Sequence, residues 1–193
     1  MPLDIIPGQR LYSRFNHHIV TVTRPGRPQT TSFTRDQMKE VTIYTDGGCI
    51  GNPGPGGYGV VLLHNGHRKE LSGGFRETTN NRMELLACIK GLEALKEPCR
   101  VTLISDSKYV VDGIRKGWAR RWQKNNWVRD KKTGARAINP DLWARLLELL
   151  DQHEVEMKWV KGHAGNNENE ICDRLANQAA RNHPTRIDTG YPG

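Results

Sequence analysis

The amino-acid sequence predicts an α/β domain with a mixed five-stranded sheet and helices on both faces. Two β-branched, apolar runs, VTIYT at residues 41–45 and VTLIS at residues 101–105, each lead directly into an aspartate. Strand-like runs alternate with stretches whose apolar residues recur at helical spacing. An Asn65-Gly66 pair sits between two strand-like runs, which is a strong hairpin signal. If the two aspartate-tipped runs lie parallel and adjacent, Asp46 and Asp106 emerge together at the carboxyl edge of the sheet. Open α/β sheets hold their chemistry at that edge. Two carboxylates forced together usually need a cation, so a metal site is the first functional expectation.

Each element follows from local signals. The first strand is expected at residues 41–45 and the second at 58–64; the Asn65-Gly66 turn leads to a third at 67–75, completing an antiparallel meander. A helix is expected over 81–96, capped by Thr79 or Asn80 and stopped by Pro98, with Leu85, Cys88 or Ile89, Leu92 and Leu95 as its apolar stripe. The fourth strand spans 101–105, and a short helix follows over 107–115. After a basic stretch, Asn139-Pro140 opens a helix, as proline at the first helical position should, with Leu142, Leu146, Leu149 and Leu150 facing inward. A fifth strand at 155–160, a loop at 161–165 and a last helix at 167–181 complete the domain. Asn167 with Glu170 three residues on resembles a capping arrangement.

Residues 1–37 differ from the rest: RPGRPQTTS, scattered arginines and few aliphatics favour a disordered, dispensable extension ahead of a domain at 38–182. Residues 183–193 read as a flexible tail. No apolar run reaches the roughly 18–20 residues of a membrane span, and no apolar signal-peptide core opens the chain. Cys49, Cys88, Cys99 and Cys172 form no CxxC pair, which suits reduced thiols in the cytoplasm. Charge is concentrated: of the net +8, residues 1–37 hold +3 and residues 115–136 hold +8, leaving −3 for the remainder. An acidic body with one basic element points to a polyanion gripped at a defined place.

Gly54, Gly56 and Gly59 satisfy G-x-G-x-x-G, but a dinucleotide fingerprint needs a helix to begin there. Pro53 and Pro55 interrupt and the strand-like YGVVLL follows, so a wide β-turn is expected, its glycines allowing close approach of a bound polymer. Glu84, between Met83 and Leu85, and Asp173, beside Cys172 on an alanine-lined helix, are acids on packed helices. Such acids need compensation. Oxygen-only carboxylate ligands favour Mg²⁺ or Mn²⁺ over zinc.

At this point the residues resemble type 1 ribonuclease H in its short bacterial form. The resemblance covers residues 38–180 and rests on TDGGCIGNPGPGGYG, TTNNRMEL, the aspartate of SDSKYV, and WVKGHAG followed by NE and CD. It implies a ribonuclease H-like fold and an endonuclease that hydrolyses the RNA strand of an RNA–DNA hybrid, leaving 3′-hydroxyl and 5′-phosphate ends. It implies that Asp46, Glu84, Asp106 and Asp173 bind metal and that His163 assists proton transfer or product release. Two Mg²⁺ ions roughly 4 Å apart would clamp the scissile phosphate, with Mn²⁺ a possible substitute. Asp46 would bridge them, Glu84 and Asp106 would hold the two sides, and Asp173 would complete the site of the ion that activates water. A histidine with its ordinary pKa near 6.5 suits proton exchange at neutral pH.

The resemblance also implies that Cys49, Asn52, Asn80 and Asn81 lie along the hybrid's minor groove, that Glu84 and backbone groups touch the 2′-hydroxyls that mark RNA near the cut, and that Gly47 belongs to the substrate-binding set. Thr79 would meet a DNA phosphate. The segment 115–136 matches the family's basic protrusion, in which Lys124 would bind the DNA strand beside Trp118. Its tryptophans are expected to be mainly structural. Lys108 stands where many relatives carry glutamine, and Asn166-Asn167 replaces a frequent His-Pro. Residues 1–37 lack the pattern of the separate hybrid-binding domain of some relatives, so one monomeric catalytic domain is expected. The rivals are a DNA-directed nuclease of the same fold and a nucleic-acid-binding module without catalysis.

Overall fold

A computed structural model describes residues 20–22, 31–33, 37–162 and 164–192. The expectation of disorder over residues 1–37 otherwise lies outside the described residues. Within that stretch β1 (Val20–Val22) pairs antiparallel with β2 (Thr31–Phe33).

The main sheet contains β3 (Lys39–Cys49), β4 (Gly54–His64), β5 (His67–Thr78), β6 (Cys99–Ser105) and β7 (Glu154–Trp159), in the order β5-β4-β3-β6-β7. The β3–β4 and β4–β5 pairs are antiparallel, while β3–β6 and β6–β7 are parallel. The mixed five-stranded sheet is therefore as expected. So is its central feature: Thr45 pairs with Ser105, which sets the next residues, Asp46 and Asp106, side by side.

The first two strands are longer than the glycine-rich sequence suggested. β3 continues past Asp46 to Cys49, paired with β4 through Cys49↔Gly56, and only residues 50–53 form the turn. The glycines explain this extension. A Cβ at Gly47 would strike the backbone of Met83 and Glu84, and one at Gly57 or Gly59 would strike the carbonyl of Ala176 or Cys172. Close approach is required, but by two helices of the chain itself.

Those helices cover opposite faces of the sheet. α1 (Asn80–Glu93) lies over Ile43 and Val60, and α5 (Asn167–Arg181) lies over Gly57 and Gly59. Between them in sequence come α2 (Lys108–Arg115), α3 (Trp118–Lys124) and α4 (Pro140–Leu150). Ile43, Leu85, Ile89, Leu92, Leu103, Val110, Trp143 and Leu146 form the centre of the core. The expected stripes of α1 and α4 thus face inward, although α1 ends three residues short of Lys96.

Two helix starts differ from expectation. Thr79 is the N-cap of α1 but makes no side-chain cap; instead Asn52 Oδ1, from the 50–53 turn, accepts from Asn80 N at 3.1 Å. The N-cap of α5 is Asn166, whose side chain accepts from Asn169 N, so the Asn167–Glu170 pairing is not the cap. A cap residue needs extended backbone, which Asn166 has.

Residues 183–192, expected to be flexible, dock on the domain. Arg76 N donates to Arg186 O at 2.9 Å, and the Arg186 guanidinium lies 5.1 Å from the Phe75 ring centroid. Asp188 accepts from Thr78 Oγ1 at 2.6 Å and from Arg82 Nε and Nη2 at 2.6 and 2.8 Å. Arg82, only 2% exposed, also donates to Asp141 at the start of α4. A buried guanidinium demands carboxylates, and the tail supplies one. Asp188→Ala leaves Arg82 with Asp141 as its one carboxylate partner among the described residues, beside a long bond to Asn139, and we expect a loss of about 2–4 kcal/mol. Urea unfolding measures it; an unchanged midpoint would show the tail to be unattached.

Candidate active site

The carboxyl edge of β3 and β6 gathers the acids. Asp46 and Glu84 are 8% and 7% exposed and Asp106 is half-buried. One ligand oxygen from each lies within 4.8 Å of the others. Asp46 is carried by the central strand, Asp106 by the turn after β6, and Glu84 by the second turn of α1. Gly47 sets the last of these, since only a missing side chain lets the Met83–Glu84 backbone press against β3. Asp173, half-buried on α5, is not part of this group of three, yet its charge reaches Asp46.

Burial, then the charges of Asp106 and Asp173, push the Asp46 carboxyl up to about 8. Burial, then Asp46 and Asp106, raise Glu84 well above the ordinary glutamate range. A hydrogen bond from the Gly47 backbone opposes both shifts. Glu84 Oε2 is buried with no hydrogen-bond partner. Buried polar atoms are rarely left so. Three clustered carboxylates and an orphaned buried oxygen fit a hard divalent cation held by oxygen ligands.

Asp106 is bracketed by residues that the sequence reading did not single out. The Trp159 indole Nε1 donates to Asp106 O at 2.9 Å, and Asn169 Nδ2 donates to Asp106 Oδ2 at 3.2 Å. A Cβ at Gly162 would lie 2.6 Å from Asp106 Oδ2, so the loop after β7 passes directly over the carboxylate. On α5, Asn177 Nδ2 donates to Asp173 Oδ1 at 2.8 Å. One signal was available: Asn169, Asp173 and Asn177 recur every four residues, which places them on one helical face.

The remaining expected residues fall into three groups. Asn52, Thr79, Asn80 and Asn81 cluster where the 50–53 turn meets α1, tied by the Asn52–Asn80 bond, with Asn52 and Asn81 exposed. Cys49 is half-buried there, its thiol donating to Gly54 O at 3.2 Å and Thr78 O at 3.4 Å, so it clamps the turn to the end of β5. Lys108 opens α2 with its Nζ 5.0 Å above the Trp159 ring, beside Asp106. Trp118 and Lys124 lie further out on α3. Trp118 is half-buried and 6.4 Å from Trp122, whose ring meets Trp143 of the core at 5.9 Å, while Lys124 is exposed. The tryptophans are thus packed and the cations face outward. His163 lies outside the described residues.

The RNase H family model matches residues 38–181. The chain is 65% identical over 144 residues to a ribonuclease H of Desulforamulus reducens, covering 75% of this chain and 89% of that one. It is 59% identical over 165 residues to a ribonuclease H of Syntrophus aciditrophicus, covering 86% and 94%. Among solved structures, LC9-RNase H1, a type 1 RNase H with the type 2 active-site motif, is similar with a TM-score of 0.66 and 33% identity, over 80% of this chain and 76% of that one. LC11-RNase H1 in complex with an RNA/DNA hybrid is similar with a TM-score of 0.56 and 26% identity, over 72% and 96%. Sheet order, acid placement and these likenesses agree: the chain belongs to the ribonuclease H family, in its bacterial type 1 form.

Proposed function

We propose that this chain is an endonuclease that hydrolyses the RNA strand of RNA–DNA hybrids, using Mg²⁺ with Mn²⁺ as a substitute and leaving 3′-hydroxyl and 5′-phosphate ends. The gathering of Asp46, Glu84 and Asp106 around the unpartnered Glu84 Oε2 carries this reading. Asp173 would join them from α5. Bound there, a pair of divalent cations supplies an activated water and stabilises the leaving oxygen.

The chain's own residues do the rest. Asp46 sits on the central strand between Glu84 and Asp106, which suits it to bridge. Asn52, Thr79, Asn80 and Asn81 present a small polar ledge at the start of α1, where amides would donate to and accept from 2′-hydroxyls without adding charge, while Cys49 clamps the turn behind it and buried Gly47 seats the start of α1 against β3. The exposed cations Arg121, Lys124, Arg129, Lys131, Lys132 and Arg136 suit the phosphates of the DNA strand, with Trp118 bracing the platform and Lys108 reaching the groove beside Asp106. His163 would move the proton or help product leave. The hybrid bound to the similar LC11-RNase H1 supports this substrate. Four unpaired thiols suit a reducing cytoplasm, and the single core suits a monomer.

The test offers matched RNA–DNA, RNA–RNA and DNA–DNA duplexes with Mg²⁺ and reads products by gel and end-labelling. We expect only the RNA of the hybrid to be cut. Cleavage of DNA would favour the DNA-directed rival, and binding without cleavage the non-catalytic one.

A further inference from the structure

We propose that Asn177 is a positioning residue that fixes the Asp173 carboxylate for a divalent cation. The inference rests on the metal-binding reading of Asp173 and adds a residue to it. Asp173 stands on a half-exposed stretch of α5, where burial alone does not fix a side chain in one staggered rotamer. Asn177, one turn on, donates Nδ2 to Asp173 Oδ1 at 2.8 Å and to Asp173 O at 3.1 Å. One amide nitrogen thereby ties the carboxylate to its own backbone and commits Oδ1, leaving Oδ2 for an ion.

The same device recurs one turn earlier. Asn169, 3% exposed, donates Nδ2 to Asp106 Oδ2 at 3.2 Å, and its own Oδ1 has no partner. Asp106 nevertheless keeps an oxygen in the group of three acids. A carboxylate that accepts an amide bond thus still takes its place in the acid group. Asn169, Asp173 and Asn177 form one stripe of α5, so a single helix orients two acids that stand on different elements. Hydrogen-bonding partners of metal ligands commonly hold affinity up by 10- to 100-fold. Because Asn177 is only half-buried, the lower end applies here, about tenfold.

Asn177→Ala is the test, since alanine keeps the helix. Calorimetric titration of Mn²⁺ without hybrid reads affinity directly. We expect about tenfold weaker binding, a matching rise in the Mg²⁺ concentration that half-saturates cleavage, and an unchanged KM for hybrid. Asn177→Gln, which keeps the amide, should recover part of the affinity. Unchanged Mn²⁺ affinity in Asn177→Ala overturns the proposal, as does a loss that Asn177→Asp does not at least match. Asp173→Asn separates the two readings. If it leaves Mn²⁺ binding intact, Asp173 is no ligand; if it weakens binding while Asn177→Ala does not, only the role of Asn177 fails.

Discussion

Asp46→Asn is expected to abolish turnover while leaving hybrid binding intact and making the metal-free protein more stable. Asp46 is one of three acids whose ligand oxygens lie within 4.8 Å of one another, so on the proposed function its loss removes the ligand that two cations would share. The charge stabilisation involved is several kcal/mol, which converts to about a thousandfold or more in rate. On the proposed function the hybrid would be gripped elsewhere, by the α1 ledge and the exposed cations of residues 115–136, so affinity in a filter-binding or polarisation assay should stay within about threefold. Stability should move the other way. Asp46 is buried beside Asp106 and within reach of the charge of Asp173, and a neutral amide of the same shape relieves that repulsion. Activity within tenfold of the parent would falsify the metal assignment.

The second large effect is the pH dependence of the metal-free protein. Folding raises the Asp46 carboxyl from the ordinary 3.8 to about 8, and raises Glu84 in the same direction. The folded state therefore holds protons that the unfolded chain has released. The stability that the Asp46 carboxyl contributes is fully present in acid, falls as pH rises above about 4, and is lost beyond about 8. Cation binding must displace those protons, so its affinity rises through the same window. In a chelator, we expect Asp46→Asn to gain on the parent by about 2–4 kcal/mol between pH 5 and pH 8.5. At pH 8.5, saturating Mg²⁺ should raise the parent's Tm far more than the variant's. Parallel pH profiles for the two proteins in thermal unfolding would exclude a raised Asp46 carboxyl.

Where reasoning from residues alone succeeded, the information was local and repetitive. The twin runs ending at Asp46 and Asp106 could be recognised as parallel neighbours because each is a β-branched stretch stopped by the same acid, and Thr45↔Ser105 pairs them so. The Asn65-Gly66 turn and Pro140 at the first position of α4 were equally legible, since each depends on a residue's own backbone preference. Glycines 47, 57 and 59 misled because a glycine permits a turn and a close approach equally. Only the position of Met83, Ala176 and Cys172 decides which. The cap of α1 was missed because the acceptor for Asn80 N, the Asn52 side chain, lies 28 residues away. The tail looked flexible by composition, yet Arg82 buried more than a hundred residues earlier recruits Asp188.

The sequence by itself determined the sheet and its register at Asp46 and Asp106, because these follow from periodicity and from chemistry written into short motifs. The tertiary structure alone decided how those acids are held. Asn169 and Trp159 reach Asp106 from elsewhere in the chain, and Gly47 admits the backbone that carries Glu84. The physical reason is distance. A hydrogen bond or a Cβ collision acts over about 3 Å, and residues that far apart in space are here separated by up to 63 positions in the chain.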